Sequence, residues 1–126
     1  MTYDKNYTEE LKNRFKSWAI QVVLFTRQFP FLADFKAIRN QMVRCAPSAA
    51  ANYRTSCRAK STPDMINKLK IVEEELDESM FWIEFVMELA PDLTLSSKTL
   101  HTEANELLSI IVASINTMKH KSDKYK

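Results

Sequence analysis

The sequence predicts an all-α protein, an antiparallel up-down-up-down four-helix bundle formed by residues 1–126 as a single domain. Three observations carry this. The 126 residues include no glycine, and left-handed caps, tight hairpins and phosphate-cradling loops all depend on it, which argues against Rossmann, P-loop and β-rich folds. Four stretches repeat apolar side chains at three- and four-residue steps, the period of one helix face. Three of the four prolines, Pro30, Pro63 and Pro91, fall at the breaks between those stretches. Four long helices joined by short breaks read as a bundle.

The first helix is expected over about 9–28, with Thr8 as N-cap and acidic Glu9 and Glu10 in the first turn. Leu11, Phe15, Trp18, Ala19, Val22 and Phe25 form its buried stripe. Phe29-Pro30-Phe31 ends it, since proline disfavours helical backbone at the preceding residue, and both Phe side chains are expected to plug the end of the core. The second helix is expected over 35–59 after an N-cap at Asp34, with Ile38, Met42, Cys45, Ala49 and Tyr53 inward. Pro47 lies inside it, removing one backbone hydrogen bond, so a kink is expected. Around it Ala46, Ser48, Ala49, Ala50 and Ala51 are small enough for a neighbouring backbone to come close.

Ser61-Thr62-Pro63-Asp64 is the strongest boundary in the chain: Thr62 is the expected cap, Pro63 takes the first helical position and Asp64 complements the helix dipole. The third helix runs from 63 to 89 on Ile66, Leu69, Val72, Leu76, Ser79, Ile83 and Val86, until Ala90-Pro91-Asp92. The fourth is expected over 97–119, with Leu100, Ala104, Leu107, Ile111, Ser114, Ile115 and Met118 inward. The basic tail KHKSDKYK is expected to fray.

Net charge is only +2, yet it is sorted along the chain. Residues 1–62 carry eleven Lys/Arg against four Asp/Glu, residues 63–92 two against nine, and residues 93–126 five against three. Two explanations stand side by side. The basic and acidic helices complement one another within or between subunits, or the basic segment forms an outer surface for nucleic acid. Cys45 and Cys57 are twelve residues apart on one helix, about 18 Å, too far for a disulfide, and read as reduced fillers. The N-terminal residues hold no apolar run of signal-peptide type, and no window approaches the roughly 20 apolar residues of a membrane span. A cytoplasmic protein without a membrane partner is expected.

The chemistry that helical bundles host is poorly represented. His101 and His120 are the only histidines, and Lys98 and Thr117 stand three residues before them, so the paired Glu-x-x-His pattern of di-iron bundles is absent. Neither the cysteines nor the histidines have zinc spacing, and no metal, cofactor or small-molecule substrate is expected. The Glu73-Glu74-Glu75 run with Asp77 and Glu78 reads as a solvated acidic face. Glu75 alone points partly inward, where Arg44 or Asn52 can satisfy it. Gln41, Ser48, Asn52, Glu75 and Ser79 are the expected structural polar network. Phe81, Trp82 and Phe85 read as core or subunit-contact residues rather than a base-stacking platform.

The candidate nucleic-acid residues are Arg39, Arg44, Arg54, Arg58 and Lys60, with Lys119, Lys121 and Lys124 in the tail. Those of the second helix do not fall on one stripe. A protein-interaction scaffold is the alternative, and a hydrolase or mutase using Glu75 and Arg44 is a third reading.

Gln41, Arg44, Pro47-Ser48, Ala51-Asn52-Tyr53-Arg54 and Arg58-Ala59-Lys60-Ser61, followed by Lys68-Leu69, Glu75, Asp77-Glu78-Ser79 and Trp82, form a pattern that resembles the four-helix bundle proteins encoded in 23S rRNA intervening sequences. With FTRQFP ahead of the second helix, the resemblance covers nearly the whole chain. It implies a bacterial up-down bundle, of a family whose biochemical role is not established, assembling into a ring-like homo-oligomer, a pentamer. With the chemistry above absent, a non-enzymatic protein is expected. A related bundle accompanies diversity-generating reverse transcriptases and binds enzyme and RNA through a basic surface, which implies RNA or ribonucleoprotein binding here. Two positions depart from the family pattern: Thr55 replaces the usual glutamate, removing its ion pair, and Ala50 replaces the usual glycine, implying wider helix spacing there.

Overall fold

The structure, a computed structural model, describes residues 5–124, with side chains as far as Lys121. Four helices account for nearly all of it: α1 (Lys5–Thr26), α2 (Ala33–Ser56), α3 (Thr62–Leu89) and α4 (Thr94–Lys124), with a single 3-10 turn at Pro91–Leu93 before the last. No strand occurs among the described residues.

The helix starts and stops follow local chemistry, with several departures from expectation. α1 begins at Lys5, so Thr8 is not a cap but a buried residue inside the helix. The N-cap position of α2 is Leu32, and Asp34 sits in the first turn, where its Oδ1 accepts from the Phe35 N–H at 2.8 Å. Pro47 is carried within an unbroken helix that ends at Ser56, three residues early, in turns from Arg58 N–H to the Thr55 carbonyl and Ala59 N–H to the Ser56 carbonyl. Ser61, rather than Thr62, caps α3, its hydroxyl accepting from the Asp64 N–H at 3.2 Å. α4 begins three residues before the expected start, and it continues to Lys124 instead of fraying at Lys119.

The stripe residues named from periodicity meet in one core. Leu11, Phe15, Trp18, Ala19, Val22 and Phe25 of α1 are buried with Ile38, Met42, Cys45, Ala46, Ala49 and Tyr53 of α2. Removing such side chains from water stabilises the fold by about 1.5–3 kcal/mol each for the larger ones. Phe15 stacks on Tyr53 at 4.8 Å between ring centres, and Phe29 meets both Phe25 and Phe35 at 5.3 Å. An early α1 residue thus faces a late α2 residue, and a late α1 residue lies near an early α2 one, so α1 and α2 run in opposite directions. Phe31 corrects the expectation of a second plug: it is fully exposed at the turn, while Phe29 alone closes that end.

Arg44 and Cys45 at mid-α2 meet Glu75, Glu78 and Ser79 at mid-α3. His101 near the start of α4 meets Glu84 near the end of α3 at 3.0 Å. Trp18 Nε1 donates to the Leu100 carbonyl at 3.1 Å, and Arg14 reaches Glu103, so α1 and α4 also run oppositely. The α1–α4 seam is the thinnest of the four. This topology gathers the start of α1, the α2–α3 turn and the end of α4 at one end of the bundle.

Candidate nucleic-acid interface

The predicted basic residues separate into three groups. Arg54, Arg58 and Lys60 close α2 and its turn, Lys119 and Lys121 close α4, and all five are exposed at the same end of the bundle. Lys5, exposed at the start of α1, joins them there. The Lys124 side chain lies outside the described residues. Arg39 is half-buried toward the opposite end, beside Phe29, Phe31 and Lys36.

Arg44 is committed elsewhere. Its guanidinium bonds Glu75 at 3.4 Å and also Glu78, and the Glu78 contact raises the arginine's pKa above its ordinary value. An arginine already held by two carboxylates has little attraction left for phosphate.

The polar row divides into two pieces. Asn52 Nδ2 donates to the Ser48 carbonyl at 2.8 Å and to the Ser48 hydroxyl at 3.1 Å, within α2. Separately, the Ser79 hydroxyl bonds the Glu75 carbonyl at 2.7 Å and Cys45 Sγ at 3.2 Å, next to the Arg44–Glu75–Glu78 ion pairs. Burial pushes the Cys45 thiol up, so it stays protonated at neutral pH. Gln41 corrects the expected membership: it is exposed and bonds nothing among the described residues. Glu75 is partly covered, paired to Arg44, and lines neither of the two grooves described next.

A groove of about 890 Å3 runs between α1 and α2. Ala19, Ile20, Val23, Leu24, Pro47 and Ala50 give it an apolar floor, and Lys12, Lys16, Arg27, Arg54 and Arg58 stand along its sides with Glu9 as the sole acid. Glu9 is held by Lys12 at 2.9 Å, which lowers its pKa. Sequence reasoning placed no function on Lys12, Lys16 or Arg27. The signal was present as a second stripe on the first helix, Lys12, Lys16, Ile20, Leu24 and Arg27, at the same three-four step as the core stripe.

A second cleft, about 630 Å3, lies between α1 and α4 over Trp18. Its Arg14 is gripped by Glu103 at 2.6 Å and by Glu106, and the Glu103 hydrogen bond raises the guanidinium pKa beyond its ordinary value. Among the described residues no group of three or more His, Cys, Asp or Glu side chains is placed to hold a metal ion. No described helix is long and apolar enough to cross a membrane.

The architecture is shared with a solved structure, that of a protein with unknown function from the S23 ribosomal protein family of Bacteroides thetaiotaomicron. It aligns with a TM-score of 0.73 over 83% of this chain and 97% of that one, at 23% identity. No curated protein matches the chain. The sequence profile of the 23S rRNA-intervening sequence proteins matches residues 10–113, spanning all four helices. This chain belongs to the 23S rRNA-intervening sequence protein family.

Proposed function

We propose that this protein is a cytoplasmic, non-catalytic, RNA-associated homo-oligomer that works within a ribonucleoprotein. The observation that carries this reading is the convergence of Arg54, Arg58, Lys60, Lys119 and Lys121 on one end of the bundle, from segments about sixty residues apart in the chain. Among the described residues none of the five forms a side-chain ion pair, although Glu9 and Asp64 lie near Arg54 and Lys60. Exposed cations so placed suit a phosphate backbone, and they bind it without reading base sequence. The family's name, which ties its members to insertions in 23S rRNA, supports RNA as the ligand.

Fluorescence anisotropy with a structured RNA hairpin, across potassium chloride concentrations, tests this. Affinity should fall steeply as salt rises. The triple change Lys60→Glu, Lys119→Glu, Lys121→Glu should reduce the slope of log affinity against log salt by about 3, roughly one per lost phosphate contact. No binding at low salt, or an unchanged slope in the variant, removes the proposal.

A further inference from the structure

The charge sorting along this chain is hardly used inside one subunit. Of the acidic residues in 63–92, only Glu75 and Glu78 form side-chain ion pairs with the basic first half, both on Arg44, while Asp64 accepts the Lys60 backbone N–H across the turn. Among the described residues, Glu74, Asp77 and Glu88 make no ion pair, and neither do Lys16, Arg27 and Arg58. A complementarity unmet within the fold is free to act between copies.

The outer side of α3 carries an aromatic ridge. Phe81 and Phe85 are 53% and 41% exposed, and the half-buried Trp82 braces them at 5.0 and 5.7 Å between ring centres. Glu74 and Glu88 flank the two rings along the helix. On α1, Ile20 and Leu24 are 50% and 47% exposed on the floor of the α1–α2 groove, with Lys16 before them and Arg27 after them. The two helices therefore present the same order with opposite signs: acid, two apolar side chains, acid on α3, and base, two apolar side chains, base on α1. That order matches in either direction of approach.

We propose that the α3 ridge of one copy of this chain seats in the α1–α2 groove of the next, Phe81 and Phe85 on Ile20 and Leu24, with Glu74 and Glu88 facing Lys16 and Arg27. The inference rests on the self-association half of the proposed function and names the surfaces that perform it. An apolar floor flanked by cations fits a helix with apolar and acidic side chains better than it fits a phosphate backbone, which gains nothing from Ile20 and Leu24. The contact joins two different surfaces, so each copy uses its ridge on one neighbour and its groove on another. Such a head-to-tail contact gives a ring where the rotation between neighbours closes and an open filament where it does not. The basic end of the bundle stays outside this contact, apart from the groove residues Arg54 and Arg58.

Charge reversal, read by size-exclusion chromatography with light scattering at fixed chain concentration, tests the pairing once circular dichroism shows native helix content. The groove set is Lys16→Glu with Arg27→Glu, and the ridge set is Glu74→Lys with Glu88→Lys. Each set alone should reduce the oligomer to the 14.7 kDa of one chain, and all four changes together should restore it, because opposite signs face each other again. An oligomer indifferent to both sets, or a folded fourfold variant that stays dissociated, overturns the pairing and leaves RNA binding standing. A wild-type chain that runs as one subunit overturns self-association as well. A groove set that keeps its mass but no longer binds the hairpin gives the groove to RNA and overturns the inference. Should a reversed chain lose helix content, Leu24→Cys and Phe85→Cys in a Cys57→Ser chain replace it. A disulfide between copies is expected on oxidation, and an oxidised oligomer without one refutes the contact.

Discussion

Two seams of the bundle carry the same clasp and are otherwise unlike. Between α2 and α3, Arg44 is gripped by Glu75 and Glu78; between α1 and α4, Arg14 is gripped by Glu103 and Glu106. In both, an arginine on one helix meets two glutamates three residues apart on the other. Beneath Arg44 the helices touch directly, with Cys45, Ala46 and Ala49 fully buried and the Ser79 hydroxyl bonded to Cys45 Sγ. Beneath Arg14 they stand apart, and the Trp18 indole fills the interval under an open cleft. The comparison teaches that an ion pair matters in proportion to how little else joins the same two elements. Where small residues let two helices touch, packing dominates; where one large ring bridges a gap, the surface clasp supplies a larger share.

The largest expected effect follows from removing that bridge. Trp18→Ala should cost about 4 kcal/mol in urea unfolding, the usual scale for deleting a buried aromatic side chain. A loss below about 2 kcal/mol would mean the α1–α4 seam collapses around the vacancy, and the comparison would fail. Ala49→Leu addresses the other seam, forcing α2 away from its neighbours at a cost of about 2 kcal/mol. If this variant unfolds like the wild type, the α2–α3 contact is not the close one described. Arg14→Ala should cost about 1 kcal/mol, discounted because water reaches the guanidinium, and lower the melting temperature by about 4 °C. Arg44→Ala should lower it less, and the opposite ranking would break the comparison.

The smallest effect concerns the start of α3. Lys68, with help from the Lys60 backbone N–H, holds the Asp64 carboxyl below its ordinary value of 3.8. A folded pKa below the unfolded one stabilises the fold above the unfolded value, and that contribution is lost as pH falls through the folded value. Asp64→Asn should therefore be slightly less stable than wild type at pH 7. The two melting temperatures should converge below pH 3.8. A gap that persists in strong acid would assign the effect to something other than this carboxylate.

Periodicity made the inside of the bundle legible. Each of Phe15, Trp18, Val22, Met42, Leu69, Leu76, Ile83, Leu107 and Ile111 is buried, because a three-four step of apolar side chains can be satisfied in only one way by a helix. The ends were less legible. Phe31 was expected inside because it is apolar, yet it stands at the apex of a turn where the Leu32 N–H bonds the Pro30 carbonyl at 2.9 Å, aimed away from the core. Thr8 looked like a cap because its chemistry suits one, although the helix had already begun at Lys5. Contacts between distant segments were the hardest. Arg44 was foreseen as one possible partner of Glu75, but the Arg14 clasp joins residues 89 apart, with nothing local to announce it. The basic end was hidden for the same reason: its residues scatter on a helical wheel and converge only when the chain folds back three times.

The absence of glycine has a consequence at the corners. Among the described residues none has a positive φ, so each bend is made from proline, short 3-10 turns and extended backbone that residues with side chains accept readily. No corner depends on the one residue that tolerates a left-handed bend. Substitutions there can change charge or bulk without straining the main chain, so the two extremities of the molecule tolerate a change of surface while the rods between them hold their places.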